Sequence, residues 1–326
     1  MSDNQINIVF CADRRALPGL HVAAYSLLAS MNPSVARSNF YVFSDALDQT
    51  DLDLLRRTLS SINRPFQLEL RRVDGSIFNG FPSLNGSWAT YYRLAVPRIL
   101  DVPKFLYVDA DTLCDVDVSE LAKLDMTGIP AGLVPEAPLA KAADRAVAEQ
   151  LGNSQEEPYF NAGIIYVNVT EWRQQRITEQ AMDYLARHRP DYWDQSALNV
   201  VLHKKAVSLD ERFNCIANMR KHWPALCQPR GRMDRLVHFL DYPKPWDLFG
   251  EWLHPQYQLW RSVLNKTAIK DFRSWHDGPS RIVPKTPKAR KAYLKALKDR
   301  LLFLGYSRGW LKKVKGVPTA TENSNK

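Results

Sequence analysis

The chain has 326 residues, 45% hydrophobic, 24% charged and 11% aromatic, with 14 Gly, 20 Pro and 4 Cys. That composition excludes a disordered chain, a collagen-like fibre and a disulfide scaffold, and no apolar run reaches the roughly 18–20 residues of a membrane-spanning helix. The net charge of +9 sits at one end: residues 285–316 carry 11 Lys and Arg against one acid, Asp299, so the body is nearly neutral and offers no basis for nucleic-acid binding.

Met1 to Phe10 has no basic flank followed by an apolar stretch, so no signal peptide is read there and a cytoplasmic location is expected. In that compartment Cys11, Cys114, Cys215 and Cys227 are expected as reduced thiols. Ile6 to Cys11 reads as a buried strand, and Leu20 to Met31 as a helix with apolar residues at helical spacing. Asn39 to Ser44 is a second strand and Asp51 to Ser60 a second helix. Phe66 to Val73 alternates as a half-exposed strand, Trp88 to Ile99 is helical, and Lys104 to Val108 is a short apolar strand. Further on, Gly163 to Asn168 and Leu236 to Phe239 read as strands, and Glu171 to His188 and Asp194 to His203 as helices. This alternation predicts an α/β protein with helices on both faces of a sheet.

Ligands of open α/β sheets bind beyond the carboxyl ends of the strands. Here those ends supply Asp13 after the first strand, Asp109-Ala110-Asp111 after the Lys104–Val108 strand, and His238, Asp241 and Lys244 after the last. Asp-x-Asp occurs three times. Asp51/Asp53 falls in a helical pattern beside Arg56 and Arg57 and is expected on a solvated face. Asp115/Asp117 lies in a loop and suits capping of Ser119 onward; only Asp109/Asp111 directly follows an apolar strand. Two extended residues at period two point the same way with Cα atoms roughly 6.5 Å apart. Paired carboxylates held so can share a hard divalent cation; the alternative is a turn with two capping acids. His238 is either a core histidine or the third ligand that such a pair lacks, and imidazole favours Mn²⁺ over Mg²⁺.

Six motifs occur in one order: Ile8 to Asp13, Thr90 to Leu94, Leu106 to Asp111, Tyr159 to Gly163, Trp193 to Asn199 and His238 to Trp246. Together they resemble glycosyltransferase family 8, the retaining enzymes that include bacterial lipopolysaccharide galactosyl- and glucosyltransferases, over about residues 6–250. The resemblance implies a GT-A fold, with a mixed, mostly parallel central sheet flanked by helices, a UDP-sugar donor and Mn²⁺, with Mg²⁺ as the other option. It implies that Asp109, Asp111 and His238 hold the metal, that Asp13 binds the uracil base, that Lys244 contacts the diphosphate, and that Cys11, Ala12 and Ala110 belong with them to the donor-binding set. Arg93, Asn161, Ala162, Asp194 and Gln195 match positions lining the donor sugar. Arg14 and Arg15 depart from a stretch that is often acidic or amide-bearing in relatives, and Asp241 stands where galactosyltransferase relatives carry Gly.

A neutral amide is a poor nucleophile, so Gln195 is expected to stabilise positive charge at the anomeric carbon during same-face attack. Asp194 either orients a donor hydroxyl or caps its helix, and Asn161 is either a sugar contact or a turn residue. A second reading takes Phe105 to Leu113 as the first motif of a haloacid-dehalogenase phosphatase, with Asp109 as nucleophile and Asp111 as acid/base. That class needs a later acidic pair for Mg²⁺, and the later strand ends give Val167-Asn168 and His238 with a lone Asp241.

The expected organisation is a catalytic domain over 1–283, a basic amphipathic region over 284–316 and a disordered end over 317–326. Tyr293, Leu297, Leu301 and Leu304 recur at helical spacing, Lys288, Lys291, Lys295 and Lys298 form another stripe, and Trp310 sits among Lys312, Lys313 and Lys315. Such a helix either lies on an anionic membrane surface or packs back by its apolar stripe. A peripheral position at the inner membrane agrees with a saccharide or lipid-linked acceptor.

Overall fold

The computed structural model describes residues 5–83, 86–216, 233–240, 243–254, 256–274 and 287–307, with side chains of the last segment at 290–301 only. Its frame is a seven-stranded sheet. Strands β1 (Gln5–Cys11), β2 (Arg37–Ser44), β3 (Phe66–Arg72) and β4 (Lys104–Val108) run parallel in the order β3-β2-β1-β4. Beyond β4 the sheet continues with β7 (Pro158–Asn168), β6 (Ala131–Pro138) and β8 (Val207–Ser208); β7 is antiparallel to both β4 and β6. A smaller sheet orders β5 (Thr112–Cys114), β10 (Leu236–His238) and β9 (Cys215–Ile216), with β10 antiparallel to β5.

The central strands β1, β4 and β7 are largely apolar because both faces are covered, whereas the edge strand β3 alternates and is partly exposed. Ile8 and Phe10 of β1 turn to one core, with Leu20, Leu27 and Leu28 of α1 (Leu17–Ser30) and Leu52, Leu55 and Leu59 of α2 (Gln49–Ser60). Val9 and Cys11 turn to the other, with Tyr91, Tyr92 and Leu94 of α3 (Ala89–Ile99). That second layer also takes Trp172 of α5 (Val169–Gln174), Ile177 and Ala181 of α6 (Ile177–Arg187) and Leu198 of α7 (Trp193–Val201). Helix α4 (Arg145–Gln150) adds a small satellite with Leu139 and Tyr159. The segment after β10 packs onto the body: Trp246 and, from α9 (Tyr257–Leu264), Trp260 and Leu264 share a core with Val22, Leu113 and Val237. Helix α8 is Gly250–Leu253 and α10 is Pro287–Ser307.

Several expectations are corrected. The helix read over Glu171 to His188 is two helices, broken at Arg176, whose φ of 53° is left-handed. The corner is pinned by Trp172 Nε1 donating to Thr178 Oγ1 at 2.9 Å and by Thr178 Oγ1 donating to Leu94 O at 2.6 Å. Of the Asp51/Asp53 pair, Asp53 is exposed as expected, but Asp51 is half-buried and closes a capping box with Asp48 at the start of α2. Asp117 does cap the turn into Ser119. The strand read from Gly163 begins at Pro158, because it pairs with β6 back to Pro138. That partner is masked in the sequence by Pro135 and Pro138, which register shifts between Leu133/Val134 and Pro135/Ala137 accommodate.

The basic helix also differs from expectation. Ala296 is buried, and Ala292, Tyr293, Asp299 and Arg300 are half-buried beside it, whereas Leu294, Leu297 and Leu301 are 68%, 45% and 59% exposed. The helix therefore does not pack back by its leucine stripe. Leu304 and Lys288 have no described side chain, and Trp310, Lys312, Lys313, Lys315, residues 317–326, Cys227 and Asp241 lie outside the described residues. Among the described residues no helix is long and apolar enough to cross a membrane.

Candidate active site

The strand order reverses between β1 and β4, the position at which an open α/β sheet leaves a crevice beyond its carboxyl ends. Cys11-Ala12-Asp13 leaves β1 on one side of that crevice and Asp109-Ala110-Asp111 leaves β4 on the other. One oxygen of Asp13 shapes the turn into α1, accepting from Arg15 N at 2.8 Å and Ala16 N at 3.1 Å. Cys11 is buried, and burial pushes its thiol well above the ordinary range, so it stays neutral. Arg14 turns outward to Asp48 and Asp51, at 2.7 and 3.1 Å.

Asp109 continues the β4–β7 pairing, donating its N–H to Gly163 O at 2.8 Å. Beneath it lies Arg93 of α3, 8% exposed, with Nη2 3.0 Å from Asp109 Oδ1 and Nε 3.0 Å from Asp194 Oδ2. The guanidinium also donates to Ala162 O and stacks 4.4 Å over the Tyr107 ring, whose hydroxyl donates to Asp109. One buried cation thus fixes two carboxylates and the β7 backbone. Burial tends to neutralise Arg93, but Asp109 and the other anionic groups around it outweigh that, and it is held firmly protonated.

Asp194 does not cap its helix. The N-cap of α7 is Tyr192, without a side-chain cap bond, and the Asp194 carboxylate turns inward to Arg93 and Thr90 Oγ1, the latter at 2.6 Å. Burial raises its pKa, opposed by Arg93. Asn161 is not a turn residue either: it lies within β7, 4% exposed. Its Nδ2 donates to Gln195 Oε1 at 3.2 Å, and Ala162 N donates to the same oxygen at 3.0 Å. Gln195 Nε2 faces Tyr159 Oη at 3.3 Å and Glu136 Oε2 at 3.5 Å.

The small sheet delivers the third strand end. Because β10 pairs with β5, His238 stands opposite Thr112 and Phe239 N donates to Asp111 O at 2.8 Å. His238 is 1% exposed; its Nε2 lies 3.1 Å from Asp111 Oδ1 and 3.7 Å from Asp109 Oδ2. Lys244 Nζ closes the far side at 2.7 Å from Asp111 Oδ2 and donates to Phe239 O. Burial pushes the Asp111 carboxyl up, but Lys244 and His238 overcome it and hold it well below the usual carboxylate range.

These residues fit a divalent cation. One ligand atom from each of Asp109, Asp111 and His238 lies within 4.8 Å of the others. His238 Nε2 is buried without a well-aligned hydrogen-bond partner, the state expected of a ligand atom. Two carboxylates and an imidazole are a donor set for Mn²⁺ or a related hard ion. The sequence reading named all three but missed Asn214, whose Oδ1 sits 3.0 Å from His238 Nδ1, and Glu136 and Tyr159 beside Gln195. Asn214 lies on an irregular stretch and Glu136 between prolines, so neither carries a periodic signal. The phosphatase reading falls with the sheet: the acidic motif follows the fourth strand in the chain, and its partner is a histidine rather than a second acidic pair.

Several known proteins are similar to this chain. The chain is 26% identical over 286 residues to a lipopolysaccharide 1,2-glucosyltransferase of Escherichia coli, covering 81% of this chain and 82% of that protein. It is 27% identical over 267 residues to a lipopolysaccharide 1,3-galactosyltransferase of Salmonella typhimurium, covering 78% and 77%. The fold matches the galactosyltransferase LgtC, crystallised with donor and acceptor sugar analogs, with a TM-score of 0.65 at 22% identity over 80% of this chain and 96% of that one. The sheet is therefore that of a GT-A glycosyltransferase. A family-level match spans residues 7–249, from the first strand to beyond Lys244, and so takes in every residue of the crevice: the chain belongs to glycosyl transferase family 8.

Proposed function

We propose that this glycosyltransferase is a retaining enzyme that moves a hexose from a UDP-sugar to a saccharide acceptor of the lipopolysaccharide or lipid-linked oligosaccharide class. The observation that carries the reading is the convergence of Asp109, Asp111, His238 and Lys244 at the β1/β4 crevice. Asp109, Asp111 and His238 would hold Mn²⁺, or Mg²⁺ in its place, and the bound ion neutralises charge developing on the diphosphate leaving group. Lys244 exchanges Asp111 for that diphosphate, and Ala110 lies at the same strand end. Asp13, with the backbone of Cys11 and Ala12, receives the uracil end.

Arg93, Asn161 and Ala162 line the sugar pocket, and Asp194 keeps Arg93 charged and aimed. Gln195 Oε1 already accepts two hydrogen bonds, which supports an oriented dipole near the anomeric carbon rather than a nucleophile. In the reaction the bond from the anomeric carbon to the β-phosphate oxygen breaks. The acceptor hydroxyl oxygen bonds on the same face, and its proton passes to the departing phosphate.

The exposed half of α10 supports a cytoplasmic protein attached peripherally to the inner membrane. Leu294, Leu297 and Leu301 stand outward beside the exposed Lys291, Lys295 and Lys298. Leucines at the headgroup boundary flanked by lysines fit an anionic lipid surface. This divides the chain into a catalytic domain, 1–283, and a membrane-associating region from 284.

NMR of the first-formed product tests the chemistry. Incubation with UDP-galactose, UDP-glucose, UDP-N-acetylglucosamine or UDP-galacturonic acid should give, with one donor, a product keeping the α configuration; a β product contradicts the retaining reading.

A further inference from the structure

His238 is held from behind by a residue that no motif marks. Asn214 ends the 3₁₀ turn Glu211–Asn214 just before β9 and is 4% exposed. Its Oδ1 lies 3.0 Å from His238 Nδ1, and its Nδ2 donates to Asn161 Oδ1 at 2.8 Å. The direction of every bond in this chain is dictated by two backbone groups. Gly163 N donates to Asn161 Oδ1 at 2.9 Å, and Ala162 N donates to Gln195 Oε1, which also accepts from Asn161 Nδ2. A backbone N–H only donates, so Asn161 has one possible orientation. The Asn214 atom facing Asn161 Oδ1 must then be nitrogen, and the atom facing His238 must be oxygen. An amide oxygen only accepts, so Nδ1 of His238 carries the proton, and in the neutral ring Nε2 carries a lone pair turned toward Asp109 and Asp111.

We propose that Asn214 is the positioning residue of the metal site: it selects the Nδ1–H tautomer of His238 and ties that ring, through Asn161, to Gln195 and the sugar pocket. The inference rests on the reading of Asp109, Asp111 and His238 as ligands. Outer-shell partners of ligating histidines fix ring orientation and tautomer, and losing one costs about 10–100-fold in metal affinity. Asn214 acts through its two side-chain partners, His238 and Asn161.

Two measurements test this without turnover. Two-bond proton–nitrogen NMR of the metal-free protein should find His238 as the Nδ1–H tautomer; an Nε2–H ring overturns the proposal. Titration of Mn²⁺ alone, followed by the electron paramagnetic resonance of the free ion, should find Asn214→Ala weakened about 10–100-fold. Asn214→Asp keeps an acceptor toward His238 while losing the donor to Asn161, and it should bind Mn²⁺ close to the parent. Unchanged affinity in Asn214→Ala, or equal weakening in both variants, overturns the proposal. A parent protein that binds no Mn²⁺ overturns the ligand reading itself, a result distinct from normal binding that ignores Asn214.

Discussion

Gly163 and His238 are in contact across the site: a β-carbon on Gly163 would sit 2.1 Å from His238 Cε1 and 2.9 Å from Asp109 Oδ2. Both neighbours belong to the candidate ligand cluster, so an added methyl displaces the imidazole or the carboxylate. Gly163→Ala is expected to lower stability by about 1–3 kcal/mol, the usual range for overpacking. It is also expected to weaken Mn²⁺ binding by more than the stability change implies. Urea unfolding and metal titration of the same variant check both expectations; unaltered metal binding would mean that Gly163 is not what makes room for the ring.

Asp109 is held from below by Arg93 and Tyr107 and faces His238 above. Asp109→Asn keeps the shape but removes the charge that the proposed ion would share. Transfer should fall by more than ~100-fold, beyond the range for an outer-shell partner, while circular dichroism stays unchanged. Turnover near the parent rate would remove Asp109 from the ligand set.

Much of this site was legible because its chemistry lies where regular strands stop. The apolar runs ending at Cys11, Val108 and His238 mark three strand ends, and Asp13, Asp109 and Asp111 follow them while His238 closes the last. What escaped reading has physical causes. Proline hid β6, since a strand that tolerates Pro135 and Pro138 needs bulges that no alternation reveals. Arg176 in a left-handed conformation split a segment whose apolar spacing continues across the break. Asp194 looked like a cap because its place at a helix start is visible in sequence, whereas its partner Arg93 lies about a hundred residues away. Asn214 meets His238 and Asn161 through side-chain hydrogen bonds, which leave no period in the chain.

Two buried histidines contribute to the acid sensitivity of the fold. Burial lowers the pKa of His21 to about 3, and burial followed by Lys244 lowers that of His254 to about 3. Below pH 6.5 the unfolded chain takes up protons that these folded rings refuse. Their contribution to stability is therefore complete above pH 6.5 and is lost as pH falls toward 3. At pH 5.5 each lowers stability by about 1.4 kcal/mol relative to pH 7 and above. Denaturation at pH 7.5 and 5.5 should show that loss, reduced by about 1.4 kcal/mol in His21→Gln. An unchanged difference would remove His21 from the account.

Vesicle sedimentation addresses the basic helix. Each Lys or Arg near an anionic surface contributes on the order of 1 kcal/mol. Truncation before Lys285 should release the protein from phosphatidylglycerol vesicles while sparing activity on a soluble acceptor. Replacing Leu294, Leu297 and Leu301 by Ser should weaken binding without loss of charge. Vesicle binding that survives truncation would assign membrane contact elsewhere on the chain.

Calorimetric titration of UDP into the purified protein, first with Mn²⁺ and then with a chelator, tests the central claim most directly. The site built from Asp13, Asp109, Asp111, His238 and Lys244 predicts binding that selects uracil over other bases and weakens sharply when the ion is removed. Binding that ignores the chelator, or no binding in either condition, would contradict a metal-assisted UDP-sugar site in this crevice.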